Sequence, residues 1–232
     1  MTNAQEKAKY FTRVELILWF SSLFAITVSF LIFDRAGWLS LFASLIGATS
    51  LILCAKGNPL GQVLIIIFSS IYGYISYTAE YYGEMLTYVG MTLPMAVFAL
   101  ISWLKHPYKG KRSEVEVSRL GKRELLLMLP LTLAVTALFY FILDYFNTAS
   151  LVVSTLSVLT SFAAVYLTFR RSPYFALAYA LNDLVLIVLW GIATLSDVSY
   201  VSVLVCFITF LFNDIYGLVS WKKMERRQLR EK

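Results

Sequence analysis

The stretch YFALAYALNDLVLIVLWGIATL, Tyr174–Leu195, decides the fold because it is apolar along almost its whole length. A helix of about 20 such residues crosses the hydrocarbon core of a bilayer. Near its middle lie Asn182 and the carboxylate Asp183. A charged group at membrane depth is costly unless it faces a cavity or a partner, so this pair is a candidate functional site.

The rest of the chain repeats this apolar pattern. Of its 232 residues, 59% are hydrophobic and 16% aromatic, more than a soluble domain needs. We therefore predict an all-α polytopic membrane protein with eight transmembrane helices and no separate soluble domain. The predicted spans are Val14–Phe33, Trp38–Ala55, Leu60–Ala79, Met85–Leu104, Leu125–Leu143, Ser150–Phe169, Tyr174–Leu195 and Ser199–Trp221.

The positive charges alternate with these spans. If the N-terminus is cytoplasmic, the inside segments carry 19 of the 20 Lys and Arg residues, and only Arg35 lies outside. This is the positive-inside pattern, so both termini are predicted to be cytoplasmic. The net charge of +6 then reflects topology and anionic lipid rather than nucleic acid. The inside segments are 1–13, 56–59, 105–124, 170–173 and 222–232, whereas the outer loops carry Asp34, Glu80, Glu84, Asp144 and Asp197.

Several function classes find no support in the sequence. Cys54 and Cys206 lie within spans and have no metal or redox spacing, and the single histidine, His106, lies in a basic loop. No G-x-x-x-x-G-K-[ST] motif is present, which argues against direct use of ATP. We expect no cofactor and no metal. The first span is long for a signal sequence and is interpreted as a true helix.

An internal repeat is visible in the spacing of small residues. Shifting the sixth span back by 114 residues places its small and polar row on that of the second span, and it pairs Ser172-Pro173 with Asn58-Pro59. At an offset of 118, Ser220-Trp221 pairs with Ser102-Trp103. The two rows are Ser150, Ser154, Ser157, Ser161, Ala164 and Thr168, and Ala36, Ser40, Ala43, Gly47, Ser50 and Cys54.

This similarity predicts two parallel three-helix repeats, a 3+1+3 arrangement with one extra N-terminal helix. Parallel repeats related by an axis along the membrane normal are a transporter architecture, with the binding site at the repeat interface. The predicted parts are a tail and extra helix (1–35), the first repeat (36–104), a basic loop and linker helix (105–148), the second repeat (149–222) and a basic tail (223–232).

Polar residues lie on one face of the third, seventh and eighth spans. In the eighth span Ser202, Cys206, Thr209, Asn213, Tyr216 and Ser220 share a face. Aromatic faces suit a flat ring that can be cationic, and Asn suits an amide or a sugar hydroxyl. The alternative is that such residues only join helices. The candidate substrate-binding residues are Asn182, Asp183, Trp190, Thr209, Asn213, Tyr216, Tyr179, Gln62, Ser69 and Tyr72.

Two further residues have alternative interpretations. Asp214 lies nearer the cytoplasmic side than Asp183 and is open to pairing with Lys222. Pro94 removes a backbone hydrogen bond and is expected to kink the fourth span.

The chain resembles PnuC-type vitamin transporters over roughly residues 36–223. The resemblance depends on the helix layout and on two stretches, Tyr82-Gly83-Glu84 through Ser102-Trp103, and Asn182-Asp183 through Phe212-Asn213-Asp214-Ile215-Tyr216-Gly217 to Trp221. One departure is that Ala96, Phe98 and Ala99 occupy positions where some members have Asn-x-Tyr-Gly. This departure leaves open whether the fourth span contacts substrate.

The resemblance implies a build similar to full-length SWEET sugar carriers and a homotrimer in a bacterial plasma membrane. It implies uptake of nicotinamide riboside by facilitated diffusion, with the cargo trapped by cytoplasmic phosphorylation. Relatives carry thiamine, riboflavin or deoxynucleosides. A phosphate would need Lys or Arg at membrane depth, and no span has one, which favours the riboside over the mononucleotide.

Two other classes remain as alternatives. Asp183 and Asp214 can be an intramembrane carboxylate dyad of an enzyme, although the Gly-x-Gly-Asp context of intramembrane aspartyl proteases is missing. A channel or a non-transporting membrane subunit is the third hypothesis.

Overall fold

The computed structural model describes residues 10–78, 82–148 and 150–231. Eight helical segments in this part of the chain are long and apolar enough to cross a membrane, which confirms the predicted class. Their bounds are α1 Arg13–Phe33, α2 Trp38–Ala55, α3 Leu60–Thr78, α4 Tyr82–Leu86 with α5 Leu93–Lys105, α6 Lys122–Tyr145, α7 Leu151–Phe169, α8 Phe175–Ala193 and α9 Val201–Arg230.

The structure adds three features to the predicted spans. A two-stranded antiparallel hairpin, β1 Pro107–Tyr108 and β2 Lys111–Val115, follows α5. A 3₁₀ turn, Val198–Tyr200, precedes α9. The last helix continues past the predicted end at Trp221 to Arg230, so most of the predicted basic tail is helical.

The fourth span is irregular where the sequence predicted a kink. Between α4 and α5, Thr87–Thr92 form a π-helical turn, and Pro94 is the second residue of α5. Because proline has no N–H to donate, the regular hydrogen-bond ladder cannot continue through it. Such π turns occur frequently at functional sites. The fourth span is therefore the one transmembrane segment in the described chain that is divided by a π turn.

The turns that follow α2 and α7 are built alike. Gly57 and Arg171, which are 114 residues apart, both have left-handed backbone conformations, with φ of 66° and 57°. In the next residue of each turn a side-chain oxygen accepts a backbone N–H: Asn58 Oδ1 from Leu60 at 2.9 Å and Ser172 Oγ from Tyr174 at 3.4 Å. We call the end of the bundle that holds these turns, the hairpin and the C-terminus of α9 the basic end.

Crossed hydrogen bonds connect the first half of the bundle, α2–α5, with the second half, α7–α9, at the basic end. Trp103 Nε1 donates to the Thr168 carbonyl at 2.9 Å, and Trp221 Nε1 donates to the Cys54 carbonyl at 2.8 Å. The neighbouring serines do the same, Ser102 to Phe169 and Ser220 to Ala55. The donors are 118 residues apart and the acceptors 114, which are the offsets read from the sequence.

A closed aromatic cluster follows from these bonds. Both indoles are fully buried, their rings lie 5.4 Å apart, and the Phe175 ring lies 4.8 Å from that of Trp221. The cluster closes the space between the halves at the basic end.

The first and the linker helices lie outside this core. Helix α1 packs against α2 and α9, and its polar side chains bond to both, for example Trp19 Nε1 to Thr49 Oγ1 at 3.1 Å. Helix α6 packs mainly on α7 and exposes Leu126, Leu127 and Phe141 by about 70%. So much exposed apolar surface on one helix fits a lipid or protein neighbour.

Candidate functional site

A mainly apolar cavity with several polar side chains in its wall lies between the two halves at the level of the middle of α8. Its volume is about 150 Å³, and α2, α3, α4, the π turn and α7–α9 all contribute to its lining. A second cavity of about 420 Å³ lies at the end opposite the basic end. The two share Glu84, Thr148, Ser154, Leu189 and Trp190, and the second also borders exposed loop residues. We call the first the central cavity and the second the vestibule.

This geometry defines a one-sided path. The vestibule reaches the surface through Asn147 and Ser196, whereas the buried Trp103 and Trp221 close the other end. The central cavity alone is smaller than the roughly 300–1,000 Å³ of a small-molecule site. A ligand of nucleoside size therefore extends from the central cavity into the vestibule in this conformation.

Asn182 has a fixed orientation in the cavity wall. Its Oδ1 accepts hydrogen bonds from three hydroxyls of α7: Thr160 Oγ1 and Ser161 Oγ, both at 2.9 Å, and Ser157 Oγ at 3.3 Å. The carbonyl side of the amide is fully used by these contacts. The N–H side is left to donate to a group in the cavity.

Asp183 and Asp214 form a carboxyl pair at the floor of the cavity. The two side chains, from α8 and α9, lie within hydrogen-bonding reach of each other, and both are at least 95% buried. Within the described chain, Asp183 Oδ2 has no hydrogen-bond partner. Since buried polar atoms normally have partners, this oxygen marks a position for a ligand donor. The alternative pairing of Asp214 with Lys222 is wrong, because Lys222 Nζ contacts Glu225 and the Tyr174 ring.

The described acids and bases that line the cavity and the vestibule are all acidic, and the Asp183–Asp214 pair shares a proton, so it carries at most one negative charge. Among the described residues that line them, the ionisable acids are Glu84, Asp183 and Asp214, and no Lys, Arg or His is present. Glu84 lies where the two spaces join. A cleft lined by one sign of charge with apolar walls concentrates ligands of the opposite sign. The path therefore favours a cation over an anion.

Aromatic side chains complete the walls. Trp190 of α8 lies against Tyr200 with 5.3 Å between ring centroids, and Tyr179, one helical turn from Asp183, lies near the floor. Phe68 and Phe210 form part of the opposite wall. These faces offer stacking surfaces for a planar ring.

The structure brings half of the predicted site residues to the cavity. Asn182, Asp183, Trp190, Tyr179 and Gln62 line it. The other five do not line either space: Thr209, Asn213, Tyr216, Ser69 and Tyr72.

The polar face of the eighth span was expected to supply the cavity, and this expectation needs correction. Asn213 Nδ2 donates to Ser22 Oγ of α1 at 2.9 Å, and the Tyr216 hydroxyl bonds to Glu15 Oε1 of α1 at 3.0 Å. Tyr72 bonds to Ser44 at 3.2 Å, inside the first half. The extra helix α1 covers this side of α9, so the polar residues there join helices, which is the common use of such side chains in membranes.

Sequence reasoning missed other lining residues. Ser157 and Ser161 belong to the small-residue row of the sixth span, which served only as evidence for the internal repeat. Glu84 was placed in an outer loop, and Asp214 was treated as secondary to Asp183. The signal for Asp214 was present, since it repeats the Asn-Asp sequence of Asn182-Asp183.

Eight apolar helical spans around a central cavity that reaches one face only are the architecture of a membrane transporter. The transporter family described as "Nicotinamide mononucleotide transporter" matches residues 37–223, most of the chain. The protein belongs to this family.

Two relatives and one solved structure carry the names of transporters. A nicotinamide riboside transporter PnuC from Neisseria mucosa is 26% identical over 215 residues, which cover 90% of this chain and 81% of the relative. A transporter of the same name from Haemophilus influenzae is 22% identical over 191 residues, or 82% of this chain and 81% of the relative. The crystal structure of the vitamin B3 transporter PnuC superposes with a TM-score of 0.80 at 23% identity and covers 94% of both chains, so the fold is shared.

Proposed function

We propose that this transporter carries nicotinamide riboside across a bacterial plasma membrane. The observation that carries the proposal is the charge of the path: three carboxyl side chains and no basic one among its described lining residues. Nicotinamide riboside is a cation with a planar ring, an amide and a ribose. The names of the two relatives support the same cargo.

The same charge argues against a phosphorylated cargo. A mononucleotide would bring a phosphate beside Glu84, Asp183 and Asp214 with no Lys or Arg to pair it. Burying a charge without a partner is costly. We therefore assign the unphosphorylated riboside as cargo, although the family description names the mononucleotide.

Each lining group then has a role that its chemistry suits. The N–H side of Asn182 donates to the carboxamide or a ribose oxygen, and Asp183 Oδ2 accepts a hydroxyl or amide proton. Trp190 and Tyr179 stack on the ring and stabilise its positive charge. Gln62 donates an amide N–H to Cys54 Sγ at 3.4 Å and keeps its carbonyl oxygen as an acceptor for the cargo.

Transport proceeds by alternating access in this proposal. By the positive-inside rule the basic end is cytoplasmic, with both termini, so the conformation described here faces outward. The predicted repeats, 36–104 and 149–222, rock against each other, which separates Trp103 from Trp221 and opens the other side. The π turn at Thr87–Thr92 gives the fourth span room to bend.

The proposed energetics are facilitated diffusion. The chain lacks a phosphate-binding loop for ATP, and phosphorylation of the cargo by a cytoplasmic enzyme would make it an anion that the acidic path rejects. Trapping then follows from electrostatics alone. We also propose a homotrimer, supported by the wide apolar face that α6 leaves exposed.

Thiamine is the second candidate cargo. It too is a cation with flat rings, so the acidic path does not distinguish it from the riboside. Neutral riboflavin and deoxynucleosides gain less from the three carboxyls.

Counterflow in liposomes tests the proposal. Purified protein in liposomes loaded with unlabelled riboside should accumulate labelled nicotinamide riboside, and thiamine, deoxyadenosine and the mononucleotide serve as competitors. Asp183→Asn should reduce the exchange, whereas Leu126→Ala, on the exposed face of α6, should leave it unchanged. Exchange that the mononucleotide inhibits as well as the riboside does would refute the assigned cargo.

A further inference from the structure

One segment crosses the basic end and bonds to both halves of the bundle. This strap, residues 107–118, comprises the hairpin and the three residues after it. Val115 N donates to the Gly57 carbonyl at 3.0 Å, and Ser118 N donates to the Arg171 carbonyl at 3.0 Å. Gly57 and Arg171 are the equivalent left-handed turn residues of the two halves. The strap therefore joins the same point of each half.

The strap also contributes a side chain to the closed end. Val115 is fully buried and belongs to the apolar cluster of Trp103, Trp221 and Phe175. A Cβ on Gly57 would lie 3.3 Å from Val115 Cγ1, so the fit under the turn is tight. Val115 therefore packs in the same closed cluster as the two indoles.

The C-terminal part of α9 holds the strap in place. Gln228 is 97% buried and binds the strap backbone twice: its Nε2 donates to the Val115 carbonyl at 3.0 Å, and its Oε1 accepts from Val117 N at 2.8 Å. Ion pairs between Arg227 and Glu114 and between Arg119 and Glu225 flank this clasp.

These contacts set a limit on how far the two halves can separate. Only three residues of chain lie between the two anchoring N–H groups, and three residues span at most about 11 Å when fully extended. With the two hydrogen bonds of 3.0 Å added, the carbonyl oxygens of Gly57 and Arg171 can lie at most about 17 Å apart, and a larger separation breaks one anchor. It also draws Val115 out of the cluster that contains the indoles.

From this geometry we propose that the strap is a lock on the basic end, which must release its hold on one of the two turns, Gly57 or Arg171, each time the carrier opens there. The lock sets the balance between the outward-facing state and the state open at the basic end. Alternating access comes from the proposed function, whereas the lock itself does not depend on which cargo is carried.

The native Cys54 reports on this balance. It is 98% buried, its carbonyl accepts the Trp221 indole N–H, and its side chain borders the central cavity. With Cys206→Ser it becomes the single thiol of the chain. A small, membrane-impermeant methanethiosulfonate reagent, applied to reconstituted vesicles from one side at a time, measures how accessible each end is.

Matched variants weaken single parts of the lock. Ser118→Pro removes the N–H that binds Arg171, whereas Ser118→Ala retains it. Gln228→Ala removes the clasp, and Arg226→Ala changes an exposed residue of the same helix. The lock predicts that Ser118→Pro and Gln228→Ala speed labelling from the basic end by about fivefold, the factor for one lost hydrogen bond, and slow it from the vestibule side. The two controls should behave as the parent.

The outcomes separate the lock from simple loosening and from the choice of cargo. Unchanged labelling in both variants would overturn the lock, and so would faster labelling from both sides, which indicates local unfolding. The expected reciprocal shift in a protein that does not exchange nicotinamide riboside would support the lock and refute the cargo. Exchange of nicotinamide riboside without the shift in labelling would support the cargo and overturn the lock.

Discussion

Trp103 and Trp221 occupy equivalent positions in the two halves, and each donates its indole N–H to a backbone carbonyl of the opposite half. Their rings meet 5.4 Å apart at the closed end. Closure of the path and attachment of the halves therefore depend on the same two side chains.

Replacement of either indole should weaken this closure to a similar extent. Trp103→Phe and Trp221→Phe each lose one buried hydrogen bond and leave a carbonyl unpaired, a loss of about 1–3 kcal/mol. Thermal unfolding in detergent should show a lower midpoint for both. Trp38→Phe, whose side chain is 64% exposed, should not change it. A large effect for one indole and none for the other would contradict the equivalence of the two sites.

Glu84 should select for positive charge at the junction of the vestibule and the central cavity. Glu84→Gln keeps the shape but removes the charge, so binding of the cationic riboside should weaken about five- to tenfold by loss of one electrostatic contact. The reduced dihydro form of nicotinamide riboside is neutral and of similar shape, so it should bind equally well to the parent protein and to Glu84→Gln. Competition against labelled riboside measures the two affinities.

The exposed Asp144 provides the control for this effect. It lies at the same end of the bundle but lines neither space. Asp144→Asn should leave both affinities unchanged. An equal loss for the cationic and neutral forms in Glu84→Gln would indicate a structural effect instead.

Asn182 should contribute directly to binding. Asn182→Ala removes the amide N–H that faces the cavity and should weaken riboside binding by about 10- to 100-fold, the range for a hydrogen bond to a polar ligand in a buried site. Ser161→Ala removes one of the three hydroxyls that hold Asn182 and should cost less, since two remain. Calorimetric titration in detergent distinguishes the two. Equal losses would mean that Asn182 acts only through α7.

Asn213 should behave in the opposite way. Because its side chain bonds to Ser22 of α1, Asn213→Ala should lower the unfolding midpoint by the equivalent of about 1 kcal/mol and leave riboside affinity intact. Ser22→Ala should match it in both measurements. If Asn213→Ala abolished riboside binding in a protein of normal stability, Asn213 would belong to the binding site and its assignment outside the central cavity would be wrong.

Much of the architecture could be predicted because a bilayer allows few solutions for an apolar chain. The bounds of α2 agree with the prediction, and the residue pairs at offsets of 114 and 118 recur in the structure as equivalent turns and crossed bonds. The π turn and the hairpin escaped prediction. Neither has a strong pattern, since the turn lies in a continuous apolar run and the strands are short.

The site was harder to predict, because a row of polar residues shows which face of a helix is polar but not which other helix packs against that face. Asn213 and Tyr216 share a face with helical spacing, but the helix that covers that face is α1, which follows no repeat. Asn182 and Asp183 line the cavity because their own helix, α8, packs against both α7 and α9, and their role in substrate binding stays a prediction.

The position of α1 makes the bundle asymmetric. It covers the seam between α2 and α9 and holds both sides of it with hydrogen bonds, through Thr49 and Asn213, whereas the seam between α7 and the fourth span contains the π turn and is covered by apolar contacts of Phe139 and Leu143 from α6. We therefore expect the α1 side to serve as the hinge. The halves would then separate on the far side, where α7 and the fourth span meet.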